Sequence, residues 1–481
     1  MPFTRQTSWV PDLLLESGTF QRNRAVVCDA AGQITGAPAA NTVENPIRLK
    51  GRAVLPGLVN AHSHAFQRVI RGRTEYRTTN HKDSFWTWRE MMYSAATRLS
   101  PDDVYDASRM AFLEMALTGI TSVGEFHYLH HTPDGAAYDD PNLLSKQVIR
   151  AAEDVGLRIA LLRVAYARSG FETDPNPLQR RFIESDPDIY LKNVEQLSVE
   201  LQQGSPSGGK TMSWCGVAPH SVRAVPLPYL KQVTKFANDK ELPVHMHVAE
   251  QQAEVSACIA EYGRSPVALL STEGLLSKQF TAVHAIHVTP KAIAMLAGAG
   301  ASVCACPTTE RNLGDGILPV DEYLRQAVPM ALGTDSHIQI DLLEDARELE
   351  YHLRLQKLER VVLINNAPSK ESPERKSRSN ISDLAAVLFD CATTKGAESI
   401  NSPGGSIAEG RAADFFTVEL DDPSIAGASD DDLLSSIVFS LSRTAVKDVV
   451  VGGKQIVEDG KHNDQQEIVE RFQALQKKLW A

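Results

Sequence analysis

The sequence predicts an α/β fold, a (β/α)8 TIM-like barrel with a small β-sandwich domain built from both chain ends. Between about residues 53 and 337, eight short apolar runs alternate with longer segments of helical periodicity. Strand–turn patterns occupy the first 52 residues and return near the other end of the chain. Eight repeats of a strand followed by a helix are the sequence signature of such a barrel.

The eight runs are apolar over nearly their whole length, as strands buried on both faces of a parallel sheet should be. They are Val54–Val59, Thr121–Phe126, Arg158–Ala165, Cys215–Ala218, Pro243–Val248, Thr281–Ala285, Ala301–Cys306 and Met330–Leu332. We therefore expect each run to form one strand of the barrel.

The segments between the runs carry helix signals. In Asp103–Leu117, apolar residues recur every three to four positions. Ser100 offers a side-chain acceptor before the first turn, Pro101 suits that turn, and Gly119 follows the end. These signals together predict a helix directly before the second run.

Both ends of the chain have the pattern of β structure. Val446–Val451 and Lys454–Val457 flank Gly452 and Gly453, and two glycines tolerate the positive φ angles of a tight turn, which predicts a hairpin. We infer a small β domain of residues 1–52 plus 402–460, a barrel domain of residues 53–401, and a C-terminal helix within residues 461–481.

Two further segments predict loops. Gln203–Lys210 is rich in Gly and Ser, and Asn366–Asn380 is highly charged and poor in apolar residues. The sequence assigns no function to either segment.

The composition excludes several classes of protein. Of 481 residues, 43% are hydrophobic and 23% are charged, which supports a large core and argues against general disorder. The net charge of −11 argues against non-specific nucleic-acid binding, which needs a basic face. No stretch reaches the ~18 apolar residues of a membrane span. Six scattered cysteines without a C-x-x-C motif indicate reduced thiols, so we expect a cytoplasmic protein.

The first run ends in a pair of histidines. His62 and His64 are two positions apart, and alternate residues of a strand face the same side. Both imidazoles can therefore reach one ion. Two solvent-exposed histidines on a loop are the alternative for this short pattern taken alone.

Three other runs also end in ionisable residues. The fifth gives His247 and Glu250, the sixth gives His284, and the eighth gives Asp335. In a barrel of this kind the active site lies at the carboxyl ends of the strands. Imidazoles together with a carboxylate are a ligand set for zinc or iron(II). Because packing alone gives no reason for these residues at four strand ends, the sequence predicts a metal centre.

Two of these segments resemble a known superfamily. Pro56–His64 is similar to the first-strand motif of the amidohydrolase superfamily. His247–Glu250 resembles the H-x-x-E sequence on the fifth strand of its deaminase branch. No lysine at a strand end is an obvious candidate for carboxylation, which favours the mononuclear branch.

Longer segments resemble the formimidoylglutamate deiminases within that superfamily. In order along the chain they are His64–Arg68, Asp83–Glu90, Glu125–Tyr128 with His130-His131, His220–Val225 and Thr309–Gly316. The resemblance extends from about residue 53 to about 340, more weakly through the hairpin. It implies hydrolysis of N-formimino-L-glutamate to N-formyl-L-glutamate and ammonia, a step of histidine degradation, by a homodimer.

The resemblance also implies a metal centre with defined roles. The ligands of one divalent ion, zinc or iron(II), would be His62, His64, His247 and Asp335. Asp335 would also accept the proton of the attacking water, and His284 would orient the hydroxide. Glu250 would protonate the formimino nitrogen and help ammonia leave. The alternatives are a core histidine for His284 and an exposed carboxylate for Glu250.

A substrate with two carboxylates needs cationic partners, since buried unpaired charge is very unfavourable. Arginine suits a carboxylate because its planar fork donates two parallel hydrogen bonds. By resemblance, the substrate contacts are Arg89, Arg223, Gln67, Tyr128 and His220. Trp86 and Trp88 are expected to form an apolar wall beside Arg89. The alternative for both arginines is an ordinary surface charge.

Three other functions remain open at this point. The first is another deaminase of the superfamily that acts on a nucleobase or a guanidine compound. The second is an amide or ring hydrolase that releases no ammonia. The third is a non-catalytic relative that has kept the barrel, which should have lost metal ligands.

Overall fold

The computed structural model describes residues 6–76, 85–171, 173–204, 212–364 and 376–481. The strands are β1 (Thr7–Glu16), β2 (Thr19–Gln21), β3 (Val26–Cys28), β4 (Ile34–Gly36), β5 (Ile47–Pro56), β6 (Leu58–Ser63), β7 (Ile120–His127), β8 (Arg158–Ala165), β9 (Ser213–Pro219), β10 (Val244–Val248), β11 (Phe280–His284), β12 (Ser302–Ala305), β13 (Met330–Leu332), β14 (Phe415–Glu419), β15 (Val446–Val451), β16 (Lys454–Glu458) and β17 (Lys461–His462).

The α-helices of the same residues alternate with the barrel strands and continue beyond them. They are α1 (Phe85–Ala96), α2 (Pro101–Ala116), α3 (Leu143–Val155), α4 (Pro187–Gly204), α5 (Leu227–Asp239), α6 (Gln252–Tyr262), α7 (Pro266–Thr272), α8 (Pro290–Ala299), α9 (Pro307–Leu313), α10 (Val320–Arg325), α11 (Leu342–Lys357), α12 (Lys376–Cys391), α13 (Thr394–Ile400), α14 (Leu433–Ser440) and α15 (Gln465–Trp480).

Strands β6 to β13 form a parallel barrel in which neighbours in sequence are neighbours in space. A parallel bridge between Ser63 and Asp335 joins the first strand to the end of the last. Nearly every residue of these strands is buried, as the continuous apolar runs predicted. The predicted barrel is confirmed.

The first predicted run, Val54–Val59, is divided between two sheets, so its assignment to one barrel strand was wrong. Val54 to Pro56 end β5 of the second sheet, and Leu58 and Val59 begin β6. Gly57 lies at the crossing, where a Cβ atom would be 2.3 Å from Thr121 Oγ1. The apolar pattern cannot reveal the division, because both strands are buried there.

Helix α2 begins where the sequence signals predicted. The Ser100 hydroxyl accepts from the Asp103 backbone N–H, and the Asp103 carboxylate accepts from the Ser100 N–H at 2.8 Å. This reciprocal pair satisfies two donors that the first turn leaves free. Gly119 follows with a φ of +87°, and a Cβ there would be 2.8 Å from the Phe416 ring.

Both chain ends contribute to the second sheet, a mixed sheet of nine strands. The order along its main path is β17-β16-β15-β14-β5-β1-β3-β4, and β2 pairs with β1. The predicted hairpin is confirmed: β15 and β16 pair antiparallel around Gly452 and Gly453, which both have positive φ. The domain boundaries stay predictions, and residue 52 lies inside β5.

A buried ion pair fastens this sheet to the barrel. Arg158, the first residue of β8, donates from Nε to Asp414 at 2.7 Å, and the side chains are 2% and 0% exposed. The Gly452 N–H donates to the same carboxylate at 2.7 Å. The pair between Arg158 and Asp414 therefore fixes the nine-stranded sheet to the amino end of strand β8.

The two predicted loops lie mostly outside the described residues. Residues 205–210 and 366–375 are among those outside, whereas Gln203 and Gly204 end α4 and residues 376–380 begin α12. The loop prediction was wrong for those end residues. In residues 376–380 the reason is that Lys and Arg are compatible with a helix, so a charged segment can begin one. No helix of the described residues is long and apolar enough to cross a bilayer.

Candidate metal centre and active site

Four predicted metal ligands converge at the carboxyl ends of the barrel strands. One ligand atom from each of them lies within 4.8 Å of every other: His62, His64, His247 and Asp335. The Nε2 atoms of the two first-strand histidines are 3.2 Å apart. Asp335 Oδ1 lies 3.4 Å from His62 Nε2 and 3.2 Å from His64 Nε2.

Backbone carbonyls fix the orientation of two of these imidazoles. His64 Nδ1 donates to the Phe126 carbonyl at 2.9 Å, and His247 Nδ1 donates to the His220 carbonyl at 3.1 Å. In a neutral imidazole this leaves Nε2 as the nitrogen with a free lone pair. Such an outer hydrogen bond is the usual support of a metal-binding histidine.

Burial and neighbouring side chains shift the pKa values of three of the predicted ligands. Burial lowers the pKa of His62 to about 3, and burial with the neighbouring histidines keeps the pKa of His247 well below its usual value. Burial opposes ionisation of Asp335, but its contacts with His62 and His64 hold its pKa well below the usual range. Neutral imidazoles and a carboxylate with converging lone pairs repel one another unless a cation lies between them. The donor set therefore fits a divalent metal ion.

Two further ionisable residues lie beside this group. His284 Nε2 is 3.8 Å from Glu250 Oε1 and 3.9 Å from Asp335 Oδ2. Burial raises the pKa of Glu250, so this carboxyl can hold a proton more readily than an exposed one. Burial lowers the pKa of His284, but the charges of Glu250, Glu310 and Asp335 outweigh it and raise the pKa well above its usual value. Neither residue is on the surface, since they are 8% and 1% exposed.

The backbone turns sharply where these residues leave their strands. Ala249, His284 and Asp335 have φ angles of +52°, +67° and +44°. Non-glycine residues rarely adopt this left-handed region, and such strain is concentrated at functional sites. The turns carry Glu250, His284 and Asp335 out of their strands at the same end of the barrel.

Two arginines enter the same cavity from different elements. Arg89 lies on α1 and Arg223 follows β9. Among the described residues, Arg89 Nη1 and Arg223 Nε are buried and have no hydrogen-bond partner. The Trp86 ring centroid is 4.5 Å from the guanidinium carbon of Arg89 and 5.7 Å from that of Arg223. Buried guanidinium nitrogens without an acceptor indicate a place for an anion.

The remaining predicted contacts lie between the metal ligands and the arginines. Gln67 Nε2 donates to the Tyr128 hydroxyl at 2.7 Å, and Gln67 Oε1 is buried without a partner among the described residues. The His220 ring is 4.8 Å from the His247 ring, centroid to centroid, and burial keeps the pKa of His220 well below its usual value. These side chains offer neutral donors and acceptors beside the cationic pair.

A single cavity contains nearly all of these groups. Its wall includes all the predicted site residues except His62, which is fully buried behind it. The other wall residues are Phe85, Trp88, Met92, Tyr93, Tyr166, Phe182 and Leu313. The cavity wall therefore combines carboxylates and imidazoles that could hold a metal ion with two guanidinium groups and a set of aromatic rings.

The amidohydrolase family model matches residues 53–456, most of the chain. The chain belongs to the amidohydrolase family. A formimidoylglutamate deiminase of Pseudomonas aeruginosa is 38% identical to this amidohydrolase over 423 residues, which cover 88% of each chain. A 5-methylthioadenosine/S-adenosylhomocysteine deaminase of Natronomonas pharaonis is 26% identical over 442 residues, 91% of this chain and 89% of the relative.

Solved structures agree with the fold of this amidohydrolase. An amidohydrolase from Brucella melitensis superposes with a TM-score of 0.87 at 32% identity, over 99% of this chain and 100% of the other. An adenosine deaminase from Xanthomonas campestris, described with bound zinc, has a TM-score of 0.80 at 22% identity, over 98% of each chain. The second likeness concerns the fold alone.

Several residues of the amidohydrolase site were not predicted. Tyr93 lies four positions after Arg89 on α1, so helical spacing would have placed it on the same face. Tyr166 directly follows β8, and the rule that active sites lie at strand ends could have found it. Glu310 lies in the resembling segment Thr309–Gly316 but was given no role, because its contact is with His284, 26 positions earlier in the chain. Asp83 and Ser84, part of one resembling segment, lie outside the described residues.

Proposed function

We propose that this amidohydrolase converts N-formimino-L-glutamate and water to N-formyl-L-glutamate and ammonia, as a step of histidine degradation. The observation that carries the proposal is the buried Nη1 of Arg89 and Nε of Arg223, which have no hydrogen-bond partner among the described residues and belong to side chains that line the same cavity as three of the four predicted metal ligands. A nucleobase offers no carboxylate to them. The 38% identity to a formimidoylglutamate deiminase over most of both chains supports the same substrate.

The residues that would hold the ion are His62, His64, His247 and Asp335. Three imidazoles and one carboxylate suit zinc, and iron(II) accepts the same ligands, so we propose Zn2+ with Fe2+ as the alternative. When bound, a divalent ion supplies hydroxide at neutral pH, because it lowers the pKa of water to about 7.

Three side chains would then assist the reaction: two would transfer protons and one would orient the hydroxide. Asp335 accepts the proton of the attacking water. Glu250, whose pKa is raised by burial, donates to the formimino nitrogen and makes the attacked carbon more electrophilic. His284 Nε2, 3.8 Å from Glu250 and 3.9 Å from Asp335, faces both carboxylates and orients the hydroxide.

Charge complementarity would orient the substrate. N-formimino-L-glutamate has one carboxylate on the α-carbon that bears the basic formimino group and a second carboxylate at the far end of its side chain. Arg89 and Arg223 face the carboxylates, with Gln67, Tyr128 and His220 as neutral partners along the molecule. Glu250 and Asp335, which line the same cavity, face the formimino group. Reversed binding would place carboxylates against carboxylates, which is unfavourable in a buried site.

The test is ammonia release by metal-loaded protein from N-formimino-L-glutamate, with guanine, cytosine, adenosine and 5-methylthioadenosine as parallel substrates and chelated protein as the control. Rapid release from formiminoglutamate alone supports the proposal. Release from a nucleobase or nucleoside only, by protein shown to contain metal, would refute the substrate while leaving the metal centre. No release from any of them would favour an amide or ring hydrolase.

We also propose a cytoplasmic homodimer. The six cysteines are free and buried, which is consistent with a reducing compartment. The dimer rests on the resemblance to the deiminases. Light scattering during size-exclusion chromatography would give the mass, and a monomeric mass near 52.7 kDa would contradict the dimer.

A further inference from the structure

Glu310 is a buried carboxylate that has no role in the reaction described above. It lies on α9, the helix that follows β12, and is 2% exposed. Its backbone is fixed at both ends, since its N–H donates to the Cys306 carbonyl at 2.9 Å and its carbonyl accepts from the Asp315 N–H at 3.0 Å. The carboxylate therefore has a defined position close to the metal-ligand group.

One oxygen of this carboxylate has two donors. Glu310 Oε1 accepts from the Cys306 backbone N–H at 2.9 Å and lies 3.2 Å from His284 Nδ1. A carboxylate only accepts, so the hydrogen of the second contact belongs to His284 Nδ1. The other ring nitrogen, Nε2, is then the one that faces Glu250 and Asp335.

We propose that Glu310 is a positioning residue that holds the His284 ring in one orientation, with Nε2 directed at the reacting atoms. The inference rests on the proposed deiminase function. His284 needs such support because its own backbone is strained, with a φ of +67°. Without Glu310 the ring could turn and present Nδ1 to the cavity. A carboxylate that orients a catalytic histidine is a recurring arrangement in enzymes.

The competing explanation is purely structural: Glu310 serves only the Cys306 N–H at the start of α9. Two substitutions separate these roles. Glu310→Gln keeps an oxygen for both donors, because the Cys306 N–H requires an acceptor there, and removes only the charge. Glu310→Ala removes the oxygen and the charge together.

The experiment measures kcat and KM for formiminoglutamate, with kcat expressed per bound metal ion. The proteins compared are the wild type, the single variants Glu310→Gln, Glu310→Ala and His284→Asn, and the two double variants that combine each Glu310 change with His284→Asn. We expect kcat to fall about 10-fold in the Gln variant and about 100-fold in the Ala variant, with KM nearly unchanged, as for other supporting residues. In the His284→Asn background, neither change should lower kcat further, because Glu310 acts through His284.

The matched control is Glu350→Gln. Glu350 is fully buried, accepts from the Val362 and Leu363 backbone N–H groups, and pairs with Arg354. This control should keep wild-type kcat. An equal loss of kcat in Glu350→Gln, an unchanged kcat in Glu310→Ala, or a full additional loss in the His284→Asn background would each overturn the inference.

A spectroscopic readout does not depend on turnover. Protein with 15N-labelled histidine should show a hydrogen-bonded Nδ1–H resonance of His284, identified by its loss in His284→Asn. We expect this resonance to persist in Glu310→Gln and disappear in Glu310→Ala. Persistence in Glu310→Ala would overturn the inference. A wild type that has the resonance but no deiminase activity would refute the proposed function alone.

Discussion

At the scale of single residues, the distinctive feature is that one cavity is lined by groups of opposite charge. Arg89 and Arg223 each contribute a buried guanidinium nitrogen without an acceptor among the described residues, and Glu250 and Asp335 contribute carboxylates next to the imidazoles. Each group is unfavourable in isolation, since burial opposes charge. A substrate with complementary charges would satisfy both sets of groups. Changes to the arginines and changes to the carboxylates should therefore have different kinetic effects.

Arg89→Ala tests whether the arginines bind the substrate carboxylates. We expect KM for formiminoglutamate to rise about 10- to 100-fold with kcat less affected, because a charge-assisted hydrogen bond to the unreacting carboxylate contributes roughly 1.5–3 kcal/mol. Metal content should not change. Arg150→Ala, which alters an arginine with a 63% exposed side chain, is the control. Unaltered kinetics in Arg89→Ala would remove this residue from the substrate site.

Glu250→Gln tests whether the Glu250 carboxyl transfers protons in the reaction. The glutamine cannot donate and accept the proton as a carboxyl does, so kcat should fall by about 10²–10⁴. Bound metal, measured by elemental analysis, should be retained because Glu250 is not among the four converging ligands. Glu261→Gln on the neighbouring helix, where the carboxylate pairs with Arg168, is the control. An active Glu250→Gln enzyme would refute the proton-transfer role.

At the scale of elements, buried ion pairs connect strand β8 to segments that are distant in sequence. Arg163 donates to both oxygens of Glu184 at 2.5 and 3.0 Å, and Asn193 of α4 donates to the same carboxylate at 2.8 Å. Burial opposes ionisation of Glu184, but His130 and Arg163 outweigh it and lower its pKa to about 2. This carboxylate therefore anchors the segment before α4 to the barrel.

Glu184→Gln should show a pH-dependent loss of stability. The folded pKa of Glu184 lies below the unfolded value of about 4.3, so its ionised form stabilises the fold above that pH and loses this effect as pH falls towards 2. We expect urea unfolding of metal-free protein to show a large difference from wild type at pH 7 and a smaller one at pH 3. The exposed pair Lys395–Glu398 provides the control, Glu398→Gln. A difference independent of pH would contradict the ionic role.

At the scale of the whole molecule, two sheets of different topology meet at the amino end of the barrel. The mixed sheet interleaves strands from both chain ends, because β14 pairs with β5 on one side and β15 on the other. Arg158 and Asp414 form a buried pair across this junction. Removing one member of such a pair leaves an uncompensated buried charge.

Asp414→Ala should therefore destabilise the protein by about 3–5 kcal/mol in the free energy of unfolding, measured with urea. Asp430→Ala is the contrasting control, since the Arg22–Asp430 pair has side chains 61% and 42% exposed. Exposed pairs contribute about 0–1 kcal/mol. Equal effects of the two changes would contradict the importance of burial at this junction.

Local rules of sequence determined much of this protein. Seven of the eight apolar runs, the Ser100 cap of α2 and the Gly452-Gly453 hairpin depend on neighbours within a few residues, and each was predictable. The ionisable residues at strand ends could also be identified, because parallel strands of a barrel end on one face.

Tertiary structure alone decided which distant residues meet. It divided the first run at Gly57, where the approach of Thr121 excludes a side chain. It gave His245 and His247 different environments, since His245 Nε2 donates to the Ser399 carbonyl at 2.9 Å while His247 joins the metal-ligand group. It also placed Glu310 against His284. Sequence periodicity determines which face of an element is buried, whereas closure of the barrel determines what that face contacts.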